Sequence, residues 1–449
     1  MSNYQYIVHD YQAVQSADIS LEGITVLAGI NGCGKSTLSR WLYYLVNGIS
    51  RFESLLFDGY IRQLTELVNR MYMACLEMQI HASNAGERKN GESQAVKTAF
   101  NRLNQLRFVS ENSITEAQEI FFQALYACST AMEAYLKNDG RMTPLHQKRI
   151  MNFLHLQKAE GEEAGDVAER FVEMNSRLAQ RLTERLSDSL EQRPAAEFFQ
   201  LVRETFVADE ELPADIHLSE DGVDLLSDTV ISTLFNLRRA IYIDTPVSIT
   251  AGDGENVFWT EVQAMIKSDP ETELPVGVKK LLKRVRGLLG GSVELMDVEG
   301  FGNKELRFVS DDGVNIGLSK AATGFKTFSY LQRLLENGYL TKETLLLIDE
   351  PEAHLHPQWI IEFARLLVLL NKEIGTKVVI ASHNPDMVSA IQAIAEKEGV
   401  LEKTHFYQAV SAGTSHRYVY KDLGQDIEEI FQSFNIALDR IRMYGTGGI

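Results

Sequence analysis

Cysteine is scarce in this chain, with three in 449 residues. Cys33, Cys75 and Cys128 fit neither a zinc-ligand spacing nor an even set of disulfides, which excludes a cross-linked secreted scaffold. Long apolar runs are missing too. Stretches such as Phe363 to Leu370 fall well short of the roughly 20 residues that cross a bilayer. The opening residues Met1 to Gln5 carry neither the basic nor the apolar part of a secretory signal, so a cytoplasmic protein without membrane contact is expected. Positive charge is in deficit: 44 Lys and Arg stand against 62 Asp and Glu, a formal net charge of −18. So acidic a chain repels polyanions on average, which argues against a clamp on DNA phosphates. One local exception runs from Val276 to Leu289, where Lys279, Lys280, Lys283, Arg284 and Arg286 gather. Val278, Leu281, Leu282, Val285, Leu288 and Leu289 mark a buried stripe on the same helix, so its cations read as a solvated face in preference to a nucleic-acid site.

An apolar content of 45% and a charged content of 24% are ordinary for a globular chain. The most informative stretch is Gly29-Ile30-Asn31-Gly32-Cys33-Gly34-Lys35-Ser36-Thr37, between a strand-like run (Ile24 to Leu27) and a helix-like run (Leu38 to Val46). A phosphate-binding loop requires that context. Its glycines let successive backbone N–H groups turn inward on phosphate oxygens, and the next helix aims its positive end at the same anion. Lys35 is placed to reach the β- and γ-phosphates of ATP, and the Ser36 hydroxyl to join a Mg²⁺ shell.

A second motif, Thr344 to Pro351, is a continuous apolar strand that ends in Asp349 and Glu350. Ligands of parallel sheets sit beyond the carboxyl ends of the strands, where these two carboxylates emerge. Asp349 is expected to hold Mg²⁺ and Glu350 to polarise the attacking water. Val378 to His383 repeats the design with a histidine at the strand's end, suited to contact the γ-phosphate. His354 and His356 alternate as strand neighbours do, but no further histidine or cysteine gathers nearby, which favours a structural or interface role over a metal pair.

Short strands are predicted at Tyr4 to Val8 and Ala13 to Leu21, before a long helical region from about Phe52 to Leu237. Within it, Ser113 and Glu116 have capping-box spacing. Phe171, Met174, Leu178, Leu182, Leu186 and Leu190 form a seam that stops before Pro194. Strand character returns at Ala240 to Ile243, then at Val293 to Met296, Glu305 to Val309 and Val314 to Leu318. From Thr344 onward strand and helix alternate, as a parallel sheet covered on both faces requires. The expected domains are an ATPase head in two parts, residues 1–48 and 240–449, interrupted by a helical insertion over residues 49–239.

Gly29 to Thr37, Leu345 to Pro351 and His383, in this order with a long insertion between the first two, resemble an ABC-type ATPase head. That resemblance implies an α/β fold: a P-loop NTPase head with a mostly parallel sheet and a helical insertion. The insertion is similar to that of the Rad50/SMC/RecF and OLD-like branch. Glu352-Ala-His-Leu-His356-Pro357 resembles the Leu-His-Pro ending of the OLD-like group, many of whose stand-alone members are anti-phage defence ATPases such as the Septu ATPase PtuA. The likeness covers roughly residues 1–48 and 290–449 and leaves the insertion largely outside it.

In such heads ATP is sandwiched between two protomers, and a Ser-Gly motif from one covers the phosphate of the other. Ala322-Thr323-Gly324-Phe325-Lys326 lies where that motif belongs. Thr323 keeps the hydroxyl and Gly324 the close approach, while Phe325 replaces a second glycine. The resemblance also implies a Mg²⁺-sensing glutamine in the insertion, which the sequence does not single out. It implies a homodimer or higher homo-oligomer. No acidic cluster of the Toprim type follows the ATPase, so a nuclease or other toxic effector has to be separately encoded. The expected function is therefore an ATPase that hydrolyses ATP to ADP and phosphate and regulates such an effector in anti-phage defence. The alternative is a DNA-repair or recombination ATPase like RecF or Rad50, with DNA as a direct partner.

Overall fold

The computed structural model describes residues 2–83, 91–137, 144–156, 163–207, 211–244, 257–298, 303–413 and 416–431. The chain divides into two compact units, residues 1–50 with 202–449, and residues 51–201.

The first unit is built on a ten-stranded sheet. Its strands are β1 (Tyr4–Tyr11), β2 (Val14–Ser20), β3 (Ile24–Ala28), β4 (Asp215–Glu220), β5 (Val223–Asp224) and β6 (Arg239–Ile243). After a separate small antiparallel sheet of β7 (Gly291–Val298), β8 (Asn303–Ser310) and β9 (Asn315–Gly317) come β10 (Thr344–Asp349), β11 (Lys377–Ser382), β12 (Thr404–Ser411) and β13 (Tyr418–Asp422). The order across the large sheet is β5-β4-β1-β2-β13-β12-β3-β11-β10-β6. Five of its nine pairings are parallel, so the sheet is mixed with a parallel majority, in an α/β fold of the expected class.

The parallel block from β12 to β6 is the part that matters for function. Every residue of β3, β10 and β11 is buried, which is why their sequences read as unbroken apolar runs instead of alternating ones. In register, Ala28 lies opposite Ser382, and Asp349 opposite Ala381. The carboxyl ends of three neighbouring strands therefore finish level, and adjacent strands are about 4.8 Å apart.

Helices cover the sheet: α1 (Lys35–Ser50) follows β3 directly. The second unit contains α2 (Phe52–Ser83), α3 (Gly91–Gln105), α4 (Asn112–Lys137), α5 (Pro144–Phe153), α6 (Ala164–Gln192) and most of α7 (Ala195–Val202). The first unit resumes with α8 (Val257–Lys267), α9 (Val276–Leu289), α10 (Thr323–Glu336), α11 (Pro357–Ile374) and α12 (Pro385–Glu398). Val278, Leu281, Leu282, Val285 and Leu289 are buried, so the apolar stripe expected on α9 faces the core of its unit.

Three details differ from the sequence reading. The helical unit ends at Leu201, and β4, which the reading placed in the insertion, pairs with β1 from Tyr4 to His9. Ser113 does not share a capping box with Glu116. Its hydroxyl accepts from the backbone N–H groups of Val109 and Ser110, and Glu116 pairs with Arg102. The seam of α6 is rotated, with Phe171, Asn175, Ala179 and Leu186 buried while Met174 and Leu178 stand 39% and 38% exposed. Among the described residues no helix is long and apolar enough to cross a membrane.

Candidate functional site

The loop between β3 and α1 bends through two left-handed glycines, Gly32 at φ 80° and Gly34 at φ 95°. At Gly34 an added Cβ would lie 2.6 Å from Val14 Cγ2, so the position requires glycine on two counts. Asn31 and Gly32 form the exposed tip, and Ser36 is exposed on the first turn of α1. The Lys35 side chain folds back into the loop, where Nζ donates to the carbonyls of Gly29 and Ile30, both at 2.9 Å. Cys33 turns inward. Its buried thiol lies 3.8 Å from the Tyr420 hydroxyl of β13, and its carbonyl accepts from the same hydroxyl at 3.2 Å, so Cys33 anchors the loop and leaves its backbone N–H for an anion. Thr37 donates to Gln12 Oε1 at 3.1 Å, which ties α1 to the β1–β2 turn.

Beside the loop, at the tip of β10, Asp349 is 2% exposed. Its Oδ2 accepts from the Tyr242 hydroxyl of β6 at 2.8 Å, while Oδ1 has no hydrogen-bond partner. Burial raises its pKa, and the nearby Ser36 and Tyr242 hydroxyls work in the other direction, favouring the charged form. An orphaned, buried carboxylate oxygen near the Ser36 hydroxyl is the donor set that suits Mg²⁺ in a phosphate site, where water and phosphate supply the remaining ligands.

Glu350 sits at φ 46°, a left-handed conformation that costs a non-glycine residue about 1–2 kcal/mol. Hydrogen bonds from Glu350 N to Ala381 O (2.8 Å) and from Ala353 N to Glu350 O (2.9 Å) hold it there. Its Oε1 lies 3.4 Å from His383 Nδ1. The same ring nitrogen lies 3.5 Å from Oε1 of Glu352, a residue to which the sequence reading gave no role. Glu352 is buried and accepts from Ser382 Oγ at 2.8 Å and His383 N at 3.1 Å. Its signal in the sequence was a third carboxylate just past Asp349 and Glu350, in the turn that faces the adjacent strand.

Thus Asp349, Glu350 and His383 stand at the carboxyl ends of β10 and β11, and Lys35 and Ser36 open α1 after the loop that leaves β3. Thr323 and Gly324 open α10, where the atoms nearest a Cβ on Gly324 would be Leu355 Cδ2, at 3.2 Å, and the Trp359 ring. Phe325 packs at 5.3 Å from the Phe308 ring and 5.2 Å from the Trp359 ring, which gives the bulky residue after Gly324 a packing role. Among the described residues no group of three metal-ligating side chains gathers. His356 caps α11, with its ring accepting from Gln358 N.

On α9, Arg286 pairs with Glu336, Arg284 with Glu362 and Lys280 with Glu373. Much of the basic surface suspected from the sequence is thereby neutralised by α10 and α11.

The family described as AAA ATPase domain matches residues 5–388. The chain is similar to the energy-coupling factor transporter ATP-binding protein EcfA2 of Clostridium perfringens, at 36% identity over 72 residues, which are 16% of this chain and 25% of that protein. The chain therefore spans only about a quarter of the length of this curated relative. Remote likenesses include the SMC head domain of Thermotoga maritima (TM-score 0.27, 13% identity, 46% of this chain and 65% of the other). Another is the Smc head domain with an extended coiled coil bound to the C-terminal domain of ScpA, from Pyrococcus furiosus (TM-score 0.34, 10% identity, 98% of this chain and 100% of the other).

Proposed function

The chain belongs to the AAA ATPase domain family, and from that premise we propose that it hydrolyses Mg²⁺–ATP, with nucleotide-driven pairing of two copies controlling a separately encoded effector. The observation that carries the chemistry is the level convergence of β3, β10 and β11 on one edge of the sheet.

Each residue then has a task. The N–H groups from Asn31 to Thr37 cradle the β-phosphate, and Lys35 exchanges its two loop carbonyls for phosphate oxygens. Ser36 and Asp349 would hold Mg²⁺, which neutralises charge developing on the transferred phosphoryl group. Glu350 polarises the attacking water, and His383 sits against Glu350, oriented by it. In this reading Thr323 and Gly324, at the N-terminus of α10, serve the phosphates of a second copy.

The anti-phage role, with a nuclease as the first candidate effector, rests on the Glu352-to-Pro357 run. The net charge of −18 and the paired cations of α9 are further support, since both suit a protein partner better than a DNA clamp. In this reading the helical unit of residues 51–201 is the docking or oligomerisation surface.

The RecF- or Rad50-like alternative keeps one observation in its favour. Lys279 and Lys283 are exposed at adjacent turns of α9, and neither has an ion pair among the described residues. The deciding experiment is expression of the Glu350→Gln variant and the parent with the neighbouring reading frame, followed by sizing with and without ATP. The proposal expects the variant to bind ATP, hydrolyse it about a hundredfold or more slowly, and remain in a larger, effector-containing assembly. An assembly of unchanged size in both proteins, with hydrolysis stimulated by DNA at low salt, supports the alternative instead.

A further inference from the structure

The imidazole of His383 does not face one carboxylate. It faces two, and the second reaches it from beneath. Glu352 is 5% exposed, in the turn that leaves β10, and its Oε1 accepts from two groups at the tip of β11, Ser382 Oγ at 2.8 Å and His383 N at 3.1 Å, with His383 Nδ1 lying 3.5 Å away outside hydrogen-bond geometry. Ser382 Oγ in turn accepts from Asn384 N at 3.1 Å, and the Asn384 side chain caps α12 by accepting from Asp386 N and Met387 N. Glu352 thus organises the whole turn from β11 into α12. Its Oε2 has no partner; burial raises the Glu352 pKa, while the hydrogen bonds from Ser382 Oγ and His383 N work toward the charged form. Leaving a charged oxygen buried and unpaired is costly. An amide in its place would still accept from Ser382 and His383 N, but it would lack the negative charge beside the ring.

We propose that Glu352 is a positioning residue for His383, whose carboxylate under the ring fixes the ring proton on Nδ1. Nδ1 makes no hydrogen bond in this structure, but carboxylate oxygens of Glu350 and Glu352 stand 3.4 and 3.5 Å from it, and negative charge that close favours a proton on Nδ1. In the neutral ring this leaves the lone pair on Nε2, able to accept from the attacking water. A γ-phosphate oxygen is met by an N–H at Nε2 only when the ring is doubly protonated. The inference rests on the ATPase reading of this site but is tested apart from it.

Isotope-labelled histidine spectra of the full chain report which ring nitrogen carries the proton, with the His383 signals identified by their loss in His383→Ala. The parent should show the Nδ1–H form, and Glu352→Gln should move the population toward Nε2–H. In steady-state assays Glu352→Gln should lower kcat by about tenfold or more with KM changed by less than about twofold. In a His383→Ala background the same substitution should change kcat by less than about threefold, because its target is gone. Glu352→Asp, which keeps the charge but withdraws it by one carbon, should fall between parent and Glu352→Gln and serves if the amide variant folds poorly. A ring tautomer that Glu352→Gln and Glu352→Asp leave unchanged overturns the proposal. So do kcat losses that multiply in the double variant. Should the parent bind ATP without turning it over, the spectra alone decide the role of Glu352, and the catalytic reading fails separately.

Discussion

Replacing Lys35 by methionine tests the phosphate site most directly, because the substitution keeps the length of a side chain that is only 6% exposed and removes its charge. Opposite unit charges about 4 Å apart at an effective dielectric near 20 attract by about 4 kcal/mol. Against this, Nζ gives up its two 2.9 Å hydrogen bonds to Gly29 O and Ile30 O when it turns to a phosphate. Net contributions near 0.5–1.5 kcal/mol for each bond leave roughly 1–3 kcal/mol, or about tenfold to a hundredfold in affinity. Calorimetric titration of Mg²⁺–ATP into the parent and Lys35→Met should show a Kd weakened within that range, while adenosine, which has no phosphate, binds both equally. An ATP affinity changed by less than about threefold would refute the assignment of Lys35 to the phosphates. An equal loss for adenosine would refute it too, by showing that the substitution had damaged the loop.

Other outcomes follow from the same geometry. Gly32→Ala meets only backbone strain, since φ is 80° with open space around it, and should cost about 1 kcal/mol in urea unfolding. Gly34→Ala adds a 2.6 Å contact with Val14 Cγ2 and should cost more, with part of the loss recovered in a Val14→Ala background. Tyr242→Phe removes a 2.8 Å hydrogen bond to the buried Asp349 carboxylate, so unfolding experiments should show a loss of about 1–3 kcal/mol. Lys377 supplies a pH dependence: burial lowers its pKa from 10.5 to about 8. Between those values the unfolded chain retains a proton that the folded chain has shed, so stability should rise with pH across that interval. Tyr4 and Tyr407 hold their phenolic protons far more tightly than usual in the folded state, so above about pH 10, as the unfolded chain loses those protons, they pull stability down again. Urea midpoints from about pH 7.5 to 10 should therefore climb in the parent and run flatter in Lys377→Met.

What the sequence disclosed and what it withheld divide along physical lines. β3, β10 and β11 were legible because strands buried on both faces have continuous apolar sequences, and the loop because glycines at φ 80° and 95° are needed for it to turn. The α9 stripe was legible for the related reason that one face of a helix meets a core. β4 was not, because Asp215–Glu220 is a short, largely polar strand near the sheet's edge whose partner, β1, is some two hundred residues away. Glu352 escaped notice because its role is set by Ser382 and His383 on a neighbouring strand, and no local pattern encodes that contact. The buried ion pair between Arg333 and Glu336 on α10 likewise shows only once the helix is packed.

The strand order also governs when this protein can begin to work. β11 lies between β3 and β10, and β12 flanks β3 on its other side, so the loop that ends in Lys35 is synthesised early yet gains its neighbours only after residue 411 is made. On the ribosome, β1 and β2 can pair at once, but β3 must wait through most of translation for β11 and β12, while the helical unit of residues 51–201 is made in between. A chain cut short before β11 has a phosphate loop without its sheet. We expect such fragments to be proteolysed rather than to compete for nucleotide, so that only finished copies enter the cycle.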